Sequence, residues 1–275
     1  VAKKVGADAI AHGSTSKGND QVRFDLTIRA LDPDIKIITP ARSWGMTRKD
    51  EIEYLRARGI EVPNVNKKYS VDDNLWGRSI EGGELDDPSH PPPEEAFKWT
   101  VSPEKAPNNP LTLEIEFSQG VPVAINGEKI DPVKLINTLN IIGGSHGVGR
   151  IDHIENRLVG FKSREVYEAP AATILIKAHE DLEKAVLTPR ELRIKRMVEP
   201  IWSDLVYNGL WFEPVRRAIE ALGDEMNRWV TGSVGVRIYK GSVTVVSRKS
   251  PYMIYSQNIA SYDVGWYPSE EKAIG

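Results

Sequence analysis

Residues His12 to Phe24 read His-Gly-Ser-Thr-Ser-Lys-Gly-Asn-Asp-Gln-Val-Arg-Phe, a small polar loop bounded by two glycines between an apolar run and a helical pattern. This junction constrains the fold more than any other stretch. Ala9 to Ala11 reads as the end of a buried strand. From Asn19 onward Val22, Leu26, Ile28 and Leu31 recur at helical spacing, with Arg23 on a different face. A loop at a strand's carboxyl end faces the binding crevice of an open parallel sheet, and the backbone N–H groups at a helix start favour phosphate or carboxylate.

Gly13 and Gly18 match the glycines of GxxxxGK[ST], but Asn19 and Asp20 stand where Lys and Ser or Thr are required. A Walker phosphate grip is excluded on that ground. Asp20 puts negative charge at the helix start, which suits an ammonium group better than a phosphate. Thr15, Asn19, Asp20 and Arg23 together offer donors, acceptors and both signs of charge, the set a zwitterionic amino acid needs. The bland reading carries equal weight at this point: Asn19 and Asp20 cap the helix, Thr15 makes a turn, and Arg23 is solvated.

The segment HGSTSKGNDQVRF resembles HGxTGKGNDQVRF of the argininosuccinate synthase family, with Ser16 in place of the usual glycine. That change costs little if the backbone keeps φ negative and reshapes the loop if it does not. Further stretches follow in family order: Ala41-Arg42-Ser43-Trp44, then Tyr69 to Glu81, Gly144 to Arg150, Glu155-Asn156-Arg157, Lys162-Ser163-Arg164 and Tyr167-Glu168. The resemblance covers essentially the whole chain. The family's pyrophosphate-binding segment, of the form SGGLDTS, does not occur within residues 1–275. Val1 to Val5 reads as the tail of an amphipathic helix, and Lys272 to Gly275 falls where the family continues into an assembly tail. The expectation is an internal fragment that binds citrulline weakly and does not turn over ATP alone.

The resemblance implies a remnant of a doubly wound α/β nucleotide-binding domain of the adenine nucleotide alpha hydrolase type over residues 1–63. A mixed α+β synthetase domain follows over 64–275. It implies a carbon–nitrogen ligase of arginine biosynthesis, cytoplasmic and homotetrameric, that joins citrulline to aspartate through a citrullyl-adenylate. ATP is then a substrate, accompanied by Mg, and no cofactor is tightly held. By residue, the resemblance places Gly13 on ATP, Thr15, Asn19 and Asp20 on aspartate, and Asn19, Arg23, Ser70, Ser79, Glu155 and Tyr167 on citrulline. Asp20 positions the attacking amine, and no side chain is assigned as nucleophile or base. From the residues alone, Ser70 and Ser79 read as turn serines and Glu155 as half of a surface ion pair. The alternative function is a non-catalytic amino-acid-binding or assembly module.

Other classes lose support from composition. The chain has no cysteine, hence no disulfide, thiolate metal site or redox couple. A net charge of −3 argues against a nucleic-acid surface, and no apolar run is long enough to span a bilayer. The loop Gly82 to Pro93, with Asp86-Asp87 and three prolines, reads as a loop within a domain.

Local patterns fill in the elements. Ile35 to Thr39 reads as a strand and Thr47 to Arg58 as a helix. Leu111 to Phe117 alternates, and Val121 to Ile125 runs into Asn126-Gly127, a hairpin signal. Asp131-Pro132 starts a helix through Leu139. Helices follow at Ala171 to Ala185, at Pro189 to Tyr207 with a break or kink near Pro200, and at Glu213 to Trp229. Ser233 to Ser247 forms a second hairpin around Lys240-Gly241. Three features are read as decoys. Gly143 to Gly149 follows a helix and lacks GxGxxG order, so it is a helix stop. His146, Asp152 and His153 lack zinc spacing, so no metal is assigned. The seven tryptophans, Trp266 among them, are read as core and interface fillers.

Overall fold

The computed structural model describes residues 1–62, 68–256 and 260, so Pro63, Trp266 and Lys272 to Gly275 lie outside the described residues. The chain opens with α1 (Ala2–Val5), β1 (Ala9–Ala11), α2 (Asp20–Leu31), β2 (Lys36–Ile38), α3 (Pro40–Trp44) and α4 (Arg48–Arg56). β1 and β2 pair in parallel, Ala9 opposite Lys36 and Ala11 opposite Ile38, so the polar loop does leave a strand's carboxyl end and enter a helix. Thr47 starts α4 with a reciprocal capping box to Asp50, which satisfies two backbone donors at once.

Three details differ from the sequence reading. β1 is half-buried to exposed, because among the described residues it pairs only with β2. Along α2 only Gln21 and Ile28 are buried, and Leu31 is 60% exposed, so the apolar spacing overstates that face. The short helix α3 has no counterpart in the apolar pattern, being a single turn begun by Pro40.

The remaining elements are β3 (Ser70–Asp73), β4 (Arg78–Glu81), β5 (Leu111–Ser118), β6 (Val121–Ile125), β7 (Glu128–Lys129), α5 (Pro132–Ser145), β8 (Arg150–Asn156) and β9 (Lys162–Glu168). Then come α6 (Pro170–Val186), α7 (Pro189–Tyr207), α8 (Pro214–Asn227), β10 (Gly232–Tyr239) and β11 (Ser242–Lys249). They build a five-stranded sheet in the order β11-β10-β5-β6-β7 and a four-stranded sheet in the order β3-β4-β9-β8. Leu113, Ile115 and Phe117 from β5 and Val234, Val236 and Ile238 from β10 meet Leu135 and Leu139 of α5 and Ile174, Leu175 and Leu182 of α6 in one core. Each large aliphatic side chain so buried stabilises the fold by roughly 1.5–3 kcal/mol.

The turn signals are borne out in detail. Asn126 and Gly127 both have positive φ, at 52° and 80°, as the tight β6–β7 hairpin requires, and Lys240-Gly241 repeats this at 45° and 82°. Asp131 caps α5 through Val133 and Lys134 N–H. That helix runs past Leu139 to Ser145, taking Gly143 and Gly144 into its buried last turn, and the stop falls at His146 with Gly147 at φ 76°. α7 continues through Pro200 as one element.

By compactness the described residues divide into two units. The first gathers Val1–Ser70, Ile154–Ser163 and Glu199–Ile219; the second gathers Val71–His153, Arg164–Val198 and the residues from Glu220 onward. The first unit therefore returns to the polar loop two segments that lie far along the sequence.

Candidate functional site

Asn19 occupies the N-cap position of α2, yet its side chain makes no capping bond. The residue is 5% exposed, and its Nδ2 donates to the Tyr207 hydroxyl at 2.8 Å while Leu158 N–H donates to its Oδ1 at 2.9 Å. The capping explanation fails for this residue. Its amide is turned toward segments about 140 and 190 residues away, and each end retains capacity for a second hydrogen bond.

Tyr207, at the end of α7, gathers the site in the first unit. Its one hydroxyl proton is shared between Glu155 Oε1 at 3.1 Å and the Asn156 carbonyl at 2.9 Å, while its oxygen accepts from Asn19. Its own carbonyl accepts from Arg23 Nε at 2.8 Å, and the Arg23 guanidinium lies 4.9 Å from the ring centroid. Burial, then the Glu155 charge, pushes the phenol above its ordinary range, so the hydroxyl stays protonated and able to donate. Glu155 is 8% exposed, with Arg157 Nε 3.5 Å away, and Arg157 is itself tied to Ser163 Oγ at 2.6 Å. This is a buried carboxylate held on two sides, not the surface ion pair that local sequence suggests.

Asp20 and Arg23 form an exposed i,i+3 pair at 3.1 Å. Gly209, just beyond α7, lets α2 come this close: it sits at φ +74°, and a Cβ there would stand 2.8 Å from Arg23 Cα.

The loop itself is braced from α2 and α3. Arg42 donates to Asp25 Oδ2 and to Gln21 Oε1, both at 2.9 Å. Asp25 Oδ1 lies 3.0 Å from His12 Nε2, and Ser14 N–H donates to His12 Nδ1 at 3.3 Å, which fixes the proton of a neutral imidazole on Nε2. Gln21 Nε2 donates to the Ser16 carbonyl. Burial would raise the Asp25 pKa, but the hydrogen bonds from His12 and Arg42 outweigh it and hold the carboxyl below its usual range. Two strings of hydrogen bonds thus end on the loop backbone, and Ser16 keeps a negative φ, so its replacement of glycine leaves the loop unstrained.

Gly13 and His12 line a cavity of about 460 Å³ with Ala11, Pro40, Ala41, Trp44, Met46, Glu51, Tyr54 and Leu55. It opens at the carboxyl ends of the parallel strands, and the Trp44 and Tyr54 rings in its wall lie 5.8 Å apart. Thr15 and Gly13 are exposed on the loop, and Ser70, also exposed, opens β3.

In the second unit Ser79 and Tyr167 are register partners across β4 and β9, so both half-exposed side chains rise from one sheet face. The opposite face is locked by Glu168, fully buried, which accepts from Arg78 Nη1 at 2.6 Å, from Lys98, Trp99 and Thr100 N–H, and from Thr100 Oγ1. Of the assigned residues, Asn19, Arg23 and Glu155 meet at Tyr207, Asp20 joins only through its pair with Arg23, and Ser79 and Tyr167 form a separate pair.

Sequence reasoning missed Tyr207, a helix-terminal tyrosine with no motif around it; only the Asn208-Gly209 stop hints that the chain turns there for a reason. It also gave no role to the His12–Asp25–Arg42 brace. Among the described residues no group of three His, Cys, Asp or Glu could hold a metal ion, and no helix is long and apolar enough to cross a membrane. His146 Nδ1 is instead 2.9 Å from the Ile142 carbonyl, and Asp152 pairs with Arg164 at 2.6 Å.

The chain matches the argininosuccinate synthase N-terminal HUP domain over residues 1–61 and the argininosuccinate synthase C-terminal domain over residues 69–275. It is 66% identical to argininosuccinate synthase of Pyrobaculum aerophilum, 60% to that of Hyperthermus butylicus and 58% to that of Saccharolobus solfataricus. Each alignment covers 100% of this chain and 70% of the relative. With both domain models matched in order along its length and relatives of this family 58–66% identical, the chain belongs to the argininosuccinate synthase family.

Proposed function

We propose that this protein is an ATP-dependent ligase that joins L-citrulline to L-aspartate, giving argininosuccinate, AMP and pyrophosphate in arginine biosynthesis. The ureido carbon of citrulline is a poor electrophile. Its oxygen therefore attacks the α-phosphorus of ATP, the bond to pyrophosphate breaks, and a citrullyl-adenylate results. The aspartate amine then attacks the activated carbon, the carbon–oxygen bond to AMP breaks, and the amine loses a proton. No nucleophilic side chain is needed, so the protein's contribution is orientation and charge placement.

The observation that carries this reading is the convergence of Asn19, Arg23 and Glu155 on one tyrosine, although Asn19 and Glu155 lie 136 positions apart in the chain. Glu155 supplies a buried carboxylate for the citrulline α-ammonium, with Ser70, Ser79 and Tyr167 as citrulline's further contacts and Arg23 as a cation for its carboxylate. Thr15 and Asp20 hold aspartate, Asp20 anchoring the amine that attacks, and Asn19 can serve both amino acids through its two remaining bonds. The cavity beside Gly13 suits the adenine and ribose of ATP. Neither backbone strain nor packing demands glycine at 13. Its φ is not positive and a Cβ there would have no neighbour within 4 Å, which leaves room for close approach by a ligand.

Mg is expected with the nucleotide's phosphates. The described residues offer no acidic cluster to hold it, and no step is drawn through it. The domain plan we favour is a nucleotide-binding domain over 1–63 and a synthetase domain over 64–275, supported by matches that end at 61 and resume at 69. A cytoplasmic homotetramer is the working state we infer from the family, open to sizing and fractionation.

Asp20→Ala in the protein that carries this chain tests the assignment. The KM for aspartate should rise at least about tenfold, the loss expected when one charged partner is removed, with the KM for citrulline within about twofold. Equal effects on both substrates would count against it.

A further inference from the structure

We infer that Tyr207 is a positioning residue of the citrulline site, its hydroxyl setting the Glu155 carboxylate and the Asn19 amide in register with each other. This rests on the assignment of Glu155 to citrulline made above and adds to it a residue that no motif marks.

A carboxylate that receives a substrate ammonium must be held in one rotamer, because each unfrozen torsion dilutes the productive geometry. Tyr207 supplies such a restraint to Glu155, its one proton shared in a three-centre bond between Oε1 at 3.1 Å and the neighbouring Asn156 carbonyl at 2.9 Å. The same oxygen accepts from Asn19 Nδ2 at 2.8 Å, and Leu158 N–H occupies Asn19 Oδ1 at 2.9 Å. Together these bonds decide which way the Asn19 amide faces, a choice that an isolated carboxamide leaves open. The phenol is anchored in turn, since Arg23 holds its carbonyl at 2.8 Å and stacks 4.9 Å from its ring. One side chain therefore couples three residues assigned to substrate, from two separate segments of the chain.

Tyr207→Phe removes one oxygen and keeps the ring beneath Arg23 and the carbonyl that Arg23 holds. Steady-state kinetics with ATP, citrulline and aspartate should show the citrulline KM raised about tenfold, as for loss of one hydrogen bond to a charged group. The KM for ATP should stay within about twofold. Glu155→Gln should raise the citrulline KM as well, and the double variant should be no worse than Glu155→Gln within about twofold, because Tyr207 acts through Glu155.

A silent Tyr207→Phe beside an impaired Glu155→Gln overturns this inference alone. Multiplying effects in the double variant do the same, since they make the two residues independent. A Glu155→Gln variant with unchanged citrulline KM overturns the site reading underneath, and this inference with it. Loss of the native circular-dichroism spectrum by Tyr207→Phe assigns the hydroxyl to folding and also overturns it.

Discussion

Replacing Glu168 by Gln is the sharpest test of what holds the second unit together. The carboxylate is fully buried and accepts from five donors: the Arg78 guanidinium, the backbone N–H groups of Lys98, Trp99 and Thr100, and the Thr100 hydroxyl. The amide in Gln keeps one oxygen, which Trp99 and Thr100 can still use. Its NH2 then faces Arg78 Nη1 at a distance of 2.6 Å in the native pair, donor against donor. Arg78, itself 7% exposed, would retain the Ala96 carbonyl and Asp73 as partners among the described residues. Breaking a buried ion pair from one side costs about 3–5 kcal/mol. At about 2–4 °C per kcal/mol for a unit of this size, the thermal midpoint should fall by roughly 10 °C, read by circular dichroism or scanning calorimetry. A fall of less than about 2 °C would refute the view that Glu168 is the keystone of the β4–β9 pairing.

Gly13→Ala separates ligand contact from folding. With a non-positive φ and no close neighbour, the change should leave the unfolding free energy unchanged or raise it slightly, by up to about 1 kcal/mol. It should also raise the ATP KM several-fold; an unchanged ATP KM would remove Gly13 from the nucleotide site. The loop brace makes a prediction at low pH. The Asp25 pKa is lowered in the folded chain, so its stabilisation is complete above the unfolded carboxyl's pKa, near about 4, and is lost as pH falls below that toward the folded value. The free energy of unfolding, followed by denaturant titration, should fall across that window, and Asp25→Asn should flatten the dependence; parallel pH profiles for the two proteins would contradict this.

The parts of this fold that could be read from sequence are those fixed by short-range chemistry. Asn126-Gly127, Lys240-Gly241 and Asp131-Pro132 act within four residues, and each produced the turn or cap expected of it. The four-stranded sheet was not legible. Its strands Arg150–Asn156 and Lys162–Glu168 are rich in charge, and β9 buries Arg164, Glu165 and Glu168, so polar residues sit where apolar alternation would announce a strand. The site divides in the same way. Asn19, Asp20, Arg23 and Glu155 stood in recognisable motifs. Tyr207 gains its role only from proximity created by folding, 188 positions from Asn19, and no local pattern encodes that.

The contact at Gly209 acts as a gauge block between α2 and the turn that follows α7. The gap there is smaller than a methyl group, so its width is set by the absence of a side chain and by nothing that could stretch. A substitution at this half-buried turn would wedge the two segments apart and strain the backbone, so amino-acid affinity and the thermal midpoint would fall together. The spacing of α2 from that turn is thus written in a residue that need never meet a substrate.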